Sequence, residues 1–138
     1  MSLYSIFNIA GSGLAAQSVR LNTIASNLAN ADDVASSEQA AYRARQPVFA
    51  STLFKAQGGD SAVGVRVTDI QESRAPIRRE YAPGNPLADK QGYVYTTNVN
   101  TVEQMANMIS ASRSYQNNVN VLTTTQQLLL STVQQLGK

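Results

Sequence analysis

The sequence predicts an α+β fold, with a long helix at each end, the two paired in coiled-coil fashion, and a small β-rich insert between them. Two observations carry this reading. Apolar residues return at alternating steps of three and four through residues 3–31 and again through 101–137, the spacing of one helix face. Between these stretches, residues 40–96 show strand-like alternation and Pro-Gly and Asn-Pro turn pairs instead. The chain divides accordingly into an N-terminal axial helix (1–31), a loop and β-rich insert (32–97) and a C-terminal axial helix (98–138).

In the first helix Phe7, Leu14, Leu21 and Leu28 fall on one seven-residue repeat. Leu3, Ala10, Ile24 and Ala31 fall on the interleaved one, with Gln17 as its polar member. Together they form an apolar seam along a helix about 45 Å long at 1.5 Å per residue. Gly11 and Gly13 each cost about 1 kcal/mol relative to alanine in a helix interior, and Ser, Thr and Asn are frequent. This helix is therefore expected to order only when packed, which couples folding to assembly.

Residues 32–41 are small and polar and read as a loop. Gln57–Ser61 reads as a flexible tip, and Val63–Ile70 alternates like a half-buried strand. Ala82–Pro86 is a turn, and Tyr93–Thr96 has strand propensity. Such an insert is too small to bury much by itself. The C-terminal helix repeats the design of the first. Met108, Tyr115, Leu122, Leu129 and Leu136 form one series, and Met105, Ser112, Val119, Gln126 and Val133 the other. Asn100 stands where it can cap the start, with Glu103 reaching back to it, and Gly137 marks the stop.

Composition narrows the chemistry. The 138 residues include no cysteine and no histidine, so thiolate chemistry and imidazole acid–base or metal chemistry are excluded. The net charge of +2 comes from scattered basic residues, unlike the clustered stripe of a nucleic-acid interface. No apolar run reaches the length of a membrane span, so membrane insertion is not expected. Met1–Ile6 lacks the basic start and apolar centre of a cleaved signal. Charged residues make up 14% of the chain, well below the usual quarter. Asn, Gln, Ser and Thr fill about a third of it against the background usage. Residues 3–31 carry one charge, Arg20, and 101–137 carry Glu103 and Arg113. A lone helical hairpin would line its outer faces with Glu and Lys. Uncharged faces favour helices packed on several sides, because covering them desolvates little charge.

No catalytic constellation, cofactor site or metal site is expected. Asp32 and Asp33 read as a solvated helix-end pair, Asp89-Lys90-Gln91-Gly92 as a turn without calcium ligands, and Gly11-Ser12-Gly13 as no phosphate loop. Arg78 and Arg79 read as a solvated strand end. Glu72 and Glu80 are expected to form salt bridges with Arg74, Arg78 or Arg79. Asn27 and Asn30 have a plain reading as helix-terminal asparagines that tolerate the left-handed conformation.

Ser26-Asn27-Leu28-Ala29-Asn30-Ala31 resembles the N-terminal signature shared by flagellar rod, hook and hook-associated proteins. Ile9 to Gln17 fits the opening helix of the same family. Tyr81 to Asp89, Gly92-Tyr93-Val94, Asn98-Val99-Asn100 and Met108 to Gln116 resemble a proximal rod member of it. Where many members place a threonine after the asparagine motif, this chain has Asp32-Asp33-Val34, and no role is assigned to that loop. The resemblance implies a structural subunit of the bacterial flagellar basal body. Such a subunit leaves the cell through the flagellar type III export apparatus with an uncleaved N-terminus. It assembles helically in the periplasmic space with copies of itself, other rod proteins, FliE and the MS ring, and transmits torque for motility. The assembly interface is then expected at Leu3, Phe7, Leu14, Leu21, Ile24, Asn27, Leu28 and Asn30 of the first helix. On the second it falls at Met105, Met108, Tyr115, Val119, Leu122, Leu129, Val133 and Leu136.

Two other functions fit parts of the pattern. A discrete coiled-coil adaptor would give a small defined oligomer rather than filaments. A hydrolase acting through Asp or Glu would need two carboxyl groups at a set separation, and the acidic residues here are dispersed.

Overall fold

The computed structural model describes residues 3–55 and 61–137. Helix α1 spans Leu3–Ala29 and helix α2 Thr101–Leu136. Between them lie strands β1 (Val34–Ala35), β2 (Arg45–Lys55), β3 (Ser61–Glu72), β4 (Arg78–Tyr81) and β5 (Tyr93–Thr96). The strands form two antiparallel units: a three-stranded sheet in the order β1-β5-β4 and a long β2–β3 hairpin. The α+β class with terminal helices follows the sequence reading, and α1 stops two residues before the expected Ala31. The loop expected over 32–41 contains the two paired residues of β1, held by Val34 opposite Thr96. The side chain of Leu3, and the tip expected at Gln57–Ser61 up to residue 60, lie outside the described residues.

The helices run antiparallel. Asn27 of α1 bonds Gln104, Arg20 bonds Asn107 at 3.0 Å, and Gly13 lies against Asn118. A Cβ at Gly13 would come within 2.8 Å of the Asn118 amide, so the two helices approach closely there. That approach decides which side of α2 turns inward. Gln104, Ala111 and Thr125 are buried and Asn118 is half-buried, one residue ahead of the expected series Met105, Ser112, Val119 and Gln126. Small and polar side chains fit a close helix pair, and bulkier ones are turned out. Of the other series Met108 and Leu122 are half-buried, while Tyr115, Leu129 and Leu136 are exposed. The sequence expectation for the inward face of α2 is therefore corrected by one position. On α1, Ala10 and Ile24 are buried, and Phe7, Leu14, Leu21 and Leu28 are half-buried. Gln17, the polar member of the seam, has its Oε1 buried with no hydrogen-bond partner.

The helix starts and stops where local chemistry dictates. The Asn100 side chain accepts the Glu103 amide at 3.2 Å, one half of the expected capping box. At the far end the Gly137 N–H returns to the Val133 carbonyl at 3.2 Å. The β2–β3 hairpin lies on α1. Ser12 Oγ accepts the Val65 amide at 3.2 Å, and Gly64 sits over Ser12, where a Cβ would clash with the Phe54 ring. The face nearer α1 carries Ala50, Thr52, Phe54, Ala62, Gly64 and Arg66, and the valines at 63, 65 and 67 alternate to the other side. The strand expected over Val63–Ile70 is present: Val65 and Val67 are half-buried beside exposed Arg66 and Thr68, while Val63 at its outer end is 58% exposed.

Candidate assembly surface

An asparagine-centred polar clasp joins the helix pair to the insert. Asn27 stands in the last turns of α1 with 0% exposure. Its Nδ2 donates to the Arg45 carbonyl at 2.8 Å and to Gln104 Oε1 at 3.1 Å. Its Oδ1 accepts the Arg45 amide at 2.8 Å and the Tyr42 hydroxyl at 3.0 Å. One primary amide offers two donors and two lone pairs, and all four are used inside the chain. The Tyr42 hydroxyl also lies 3.1 Å from Ser26 Oγ, and the Arg45 guanidinium stacks over the Tyr42 ring.

A second asparagine extends the clasp. Asn98 Oδ1 accepts the Ala44 amide at 2.7 Å, and its Nδ2 donates to the Ala75 carbonyl at 2.9 Å. Thr97 Oγ1 donates to the Ala31 carbonyl at 3.1 Å and accepts the Val99 amide at 3.2 Å. The end of α1, the segment entering β2, the strap at 73–75 and the lead into α2 are thereby tied together. Asn27 and Asn30 do not use the left-handed conformation: no described residue other than glycine has a positive φ. Asn30 instead donates to the Ser26 carbonyl at 2.7 Å, which satisfies a carbonyl of the last turn. Tyr42, Arg45 and Gln104 carry no sequence signal that would link them to Asn27, because the contact spans up to 77 residues.

Elsewhere the usual distribution is inverted. Among the described residues six of the nine buried apolar side chains are alanines, and the buried set also holds Ser5, Thr23, Asn27, Thr97, Gln104 and Thr125. Ile24, Val94 and Val99 are the larger apolar side chains among the described residues that are fully buried, and many of the others are exposed. Met105 is 59% exposed, and Val133 and Leu136 are more so. Ile109, Leu128, Leu130, Phe49 and Leu53 are exposed as well. Large exposed apolar areas are uncommon on monomers and characteristic of surfaces covered by other protein.

The register set by Asn27–Gln104 and Gly13–Asn118 puts the start of α1 level with Leu128. The last two turns of α2, which hold Leu129, Val133 and Leu136, extend past the end of α1. From Gln104 to Gly137 the only charged residue is Arg113.

The carboxylates serve local structure. Glu38 pairs with Arg43 at 3.3 Å, and Glu72 pairs with Arg45 at 3.2 Å rather than with the arginines at 74, 78 or 79. Asp89 Oδ1 accepts the amides of Gln91 and Tyr93 at 2.8 and 3.0 Å, and the Tyr93 amide above all holds its carboxyl below the usual aspartate range. Arg79 stacks over the Tyr93 ring at 5.1 Å. Among the described residues no group of three or more acidic side chains is placed to hold a metal, and no helix is long and apolar enough to cross a membrane.

Comparison with known proteins agrees with a chain built for assembly. Residues 7–35 match the family described as flagella basal body rod protein, and residues 90–136 match the flagellar basal body rod FlgEFG protein C-terminal family. Over 133 residues the chain is 53% identical to the flagellar basal-body rod protein FlgC of Escherichia coli O6:H1, covering 96% of this chain and 97% of that one. FlgC of Yersinia enterocolitica is 54% identical over the same shares. FlgC of Borreliella burgdorferi is 34% identical over 95% of each chain. These likenesses do not favour a discrete coiled-coil adaptor. With more than half of its residues shared along nearly its whole length, the chain belongs to the FlgC family of flagellar basal-body rod proteins and is a structural rod subunit rather than an enzyme.

Proposed function

We propose that this subunit builds the proximal rod as part of a helical tube, in which α1 and α2 form the wall and the β-rich insert faces outward. The tube works as a drive shaft that transmits torque. The observation that carries the reading is the last third of α2. It holds Leu128, Leu129, Leu130, Val133 and Leu136, all exposed, with no charged residue among them. A helix in this state gains by packing against further helices, and a coiled-coil-like seam to neighbouring subunits satisfies it. The interface then comprises the half-buried Phe7, Leu14, Leu21 and Leu28 of α1, with Met105, Met108, Tyr115, Val119 and Leu122 and the overhanging residues of α2. Asn27 and Asn30 serve it indirectly, by holding the helix ends in place.

The partners in this reading are further copies of the chain, other rod proteins, FliE and the MS ring, in the periplasmic part of the basal body. Delivery is through the flagellar type III export apparatus without cleavage of a signal. The test is the double variant Leu129→Asp with Val133→Asp. Both positions are exposed in the single chain, so the free subunit should keep its circular dichroism, while rods and motility are lost because two carboxylates would be buried without partners. Normal rods built from this variant would show that the end of α2 is not covered.

A further inference from the structure

The Gly11-Ser12-Gly13 stretch reads as no phosphate loop, and the structure gives it another use: two other elements close on α1 there. Gly13 admits Asn118 of α2. Gly64 of β3 sits over Ser12, where a Cβ would clash with Ser12 Oγ and the Phe54 ring. Ser12 Oγ makes two hydrogen bonds at this point. It donates to the Ile9 carbonyl at 2.7 Å, and it accepts the Val65 amide of β3 at 3.2 Å. A hydroxyl has one proton to give, so the bond back to Ile9 decides where its lone pairs point. That bond forms when residues 9 and 12 lie in one turn of helix. The lone pair that holds Val65 is therefore aimed by the winding of α1.

The hairpin is tied to the helices at two levels. Its base is held by Asn27, whose side chain bonds both the amide and the carbonyl of Arg45, and by the Ser73 amide on the Ala44 carbonyl at 2.7 Å. From Asn27 back to Ser12 is about 22 Å along α1 at 1.5 Å per residue. Between the two levels the pairing register shifts at Val48 and Phe49, which interrupts the ladder and gives the hairpin a place to bend. The turn that carries Ser12 is intrinsically weak as well. Gly11 and Gly13 flank it, and each lowers helix stability relative to alanine. The outer half of the hairpin is thus bonded to a part of α1 that unwinds readily.

We infer that Ser12 couples the winding of α1 to the position of the β2–β3 hairpin. The outer half docks when the Ile9–Ser12 turn is helical and releases, bending at the bulge, when that turn unwinds. Whatever orders α1 thereby fixes the hairpin too. In a rod, the outward insert takes its final position once α1 is packed into the wall. That consequence rests on the rod-subunit reading, while the coupling belongs to the single chain and is tested there.

The test is amide exchange of Val65 in the free chain, with α1 helicity changed at two positions that leave the contact alone. Gly11→Ala raises helix propensity, and a Cβ there meets nothing within 4 Å. Ala15→Gly lowers propensity at an exposed position. Val65 protection should rise up to about fivefold in the first and fall by a similar factor in the second, as the propensity difference dictates. Ser12→Ala should lower Val65 protection roughly threefold to tenfold through the lost hydrogen bond, although alanine is the better helix former. In the Ser12→Ala background neither Gly11→Ala nor Ala15→Gly should move Val65 further, while both still move the amides of residues 9–16. This loss of response separates coupling through Ser12 from a general change in stability. A Val65 amide that responds equally with and without Ser12, that ignores both helix variants, or that is unprotected in every variant would overturn the inference and leave the rod reading intact. Absence of the wild-type chain from basal bodies would overturn the rod reading without touching the Val65 result.

Discussion

At the scale of single residues, Asn27 is where sequence and structure diverge most usefully. A helix-terminal asparagine ordinarily signals a left-handed cap, and here it is an enclosed junction with four hydrogen bonds. Asn27→Ala leaves the Arg45 amide and carbonyl, the Tyr42 hydroxyl and Gln104 Oε1 without this partner. With an unmet buried polar group costing about 1–3 kcal/mol, and some of these reaching water, a loss of roughly 3 kcal/mol is expected in urea unfolding. A loss under about 1 kcal/mol would mean that the clasp is slack. Gly11 behaves in the opposite sense. A Cβ there meets nothing within 4 Å, so Gly11→Ala should stabilise the free chain by up to about 1 kcal/mol through helix propensity. Any reduction in rod assembly by that same variant would show that a neighbour comes close to this spot. The importance of Asn27 was legible in the sequence only through its motif. Its partners were not, since nothing in residues 42, 45 and 104 announces a shared contact.

At the scale of elements, both helices and the strands β3 and β5 are legible because they rest on local signals: heptad spacing, the Asn100 cap, alternation at Val63–Ile70 and an aromatic and β-branched run at Tyr93–Thr96, whereas β1 falls in the segment read as a loop. Strand β2 was not singled out. Pro47 interrupts its pattern, and the register slips between Val48 and Phe49, so the alternation breaks in the middle. The inward face of α2 differs from the apolar series because the close approach at Gly13 selects small and polar residues such as Gln104, Ala111 and Asn118. The C-terminal third of α2 is the weakest element of the free subunit. From Gln126 to Leu136 no residue is buried, and Thr123, Thr124 and Thr125 are β-branched. Amides at 126–136 should exchange rapidly in dilute monomer and become protected on assembly; strong protection in a verified monomer would contradict this.

The 82–93 turn gives a pH test. Hydrogen bonds from the Tyr93 and Gln91 amides depress the folded-state pKa of Asp89, so the carboxylate stabilises the turn above the unfolded-state value. That contribution is lost as pH falls through the depressed folded-state value. The Tyr93 amide resonance should titrate with an apparent pKa below the usual aspartate value, and an unshifted midpoint would remove the bond from the account.

At the scale of the whole molecule, the fully buried set is mostly alanine and polar side chains, with Ile24, Val94 and Val99, while many leucines, methionines and valines are half-buried or exposed. A monomer of this kind has little apolar burial to offset its conformational entropy, and assembly supplies what is missing. The low charge content announced this from composition alone, although which apolar residues lie outside had to come from the structure. The most direct test is a density map of purified basal bodies that contain this chain. The account predicts the chain in the rod, with Leu128, Leu130, Val133 and Leu136 each in contact with a neighbouring subunit. A map that leaves the last third of α2 open to solvent, or finds the chain outside the rod, would contradict it.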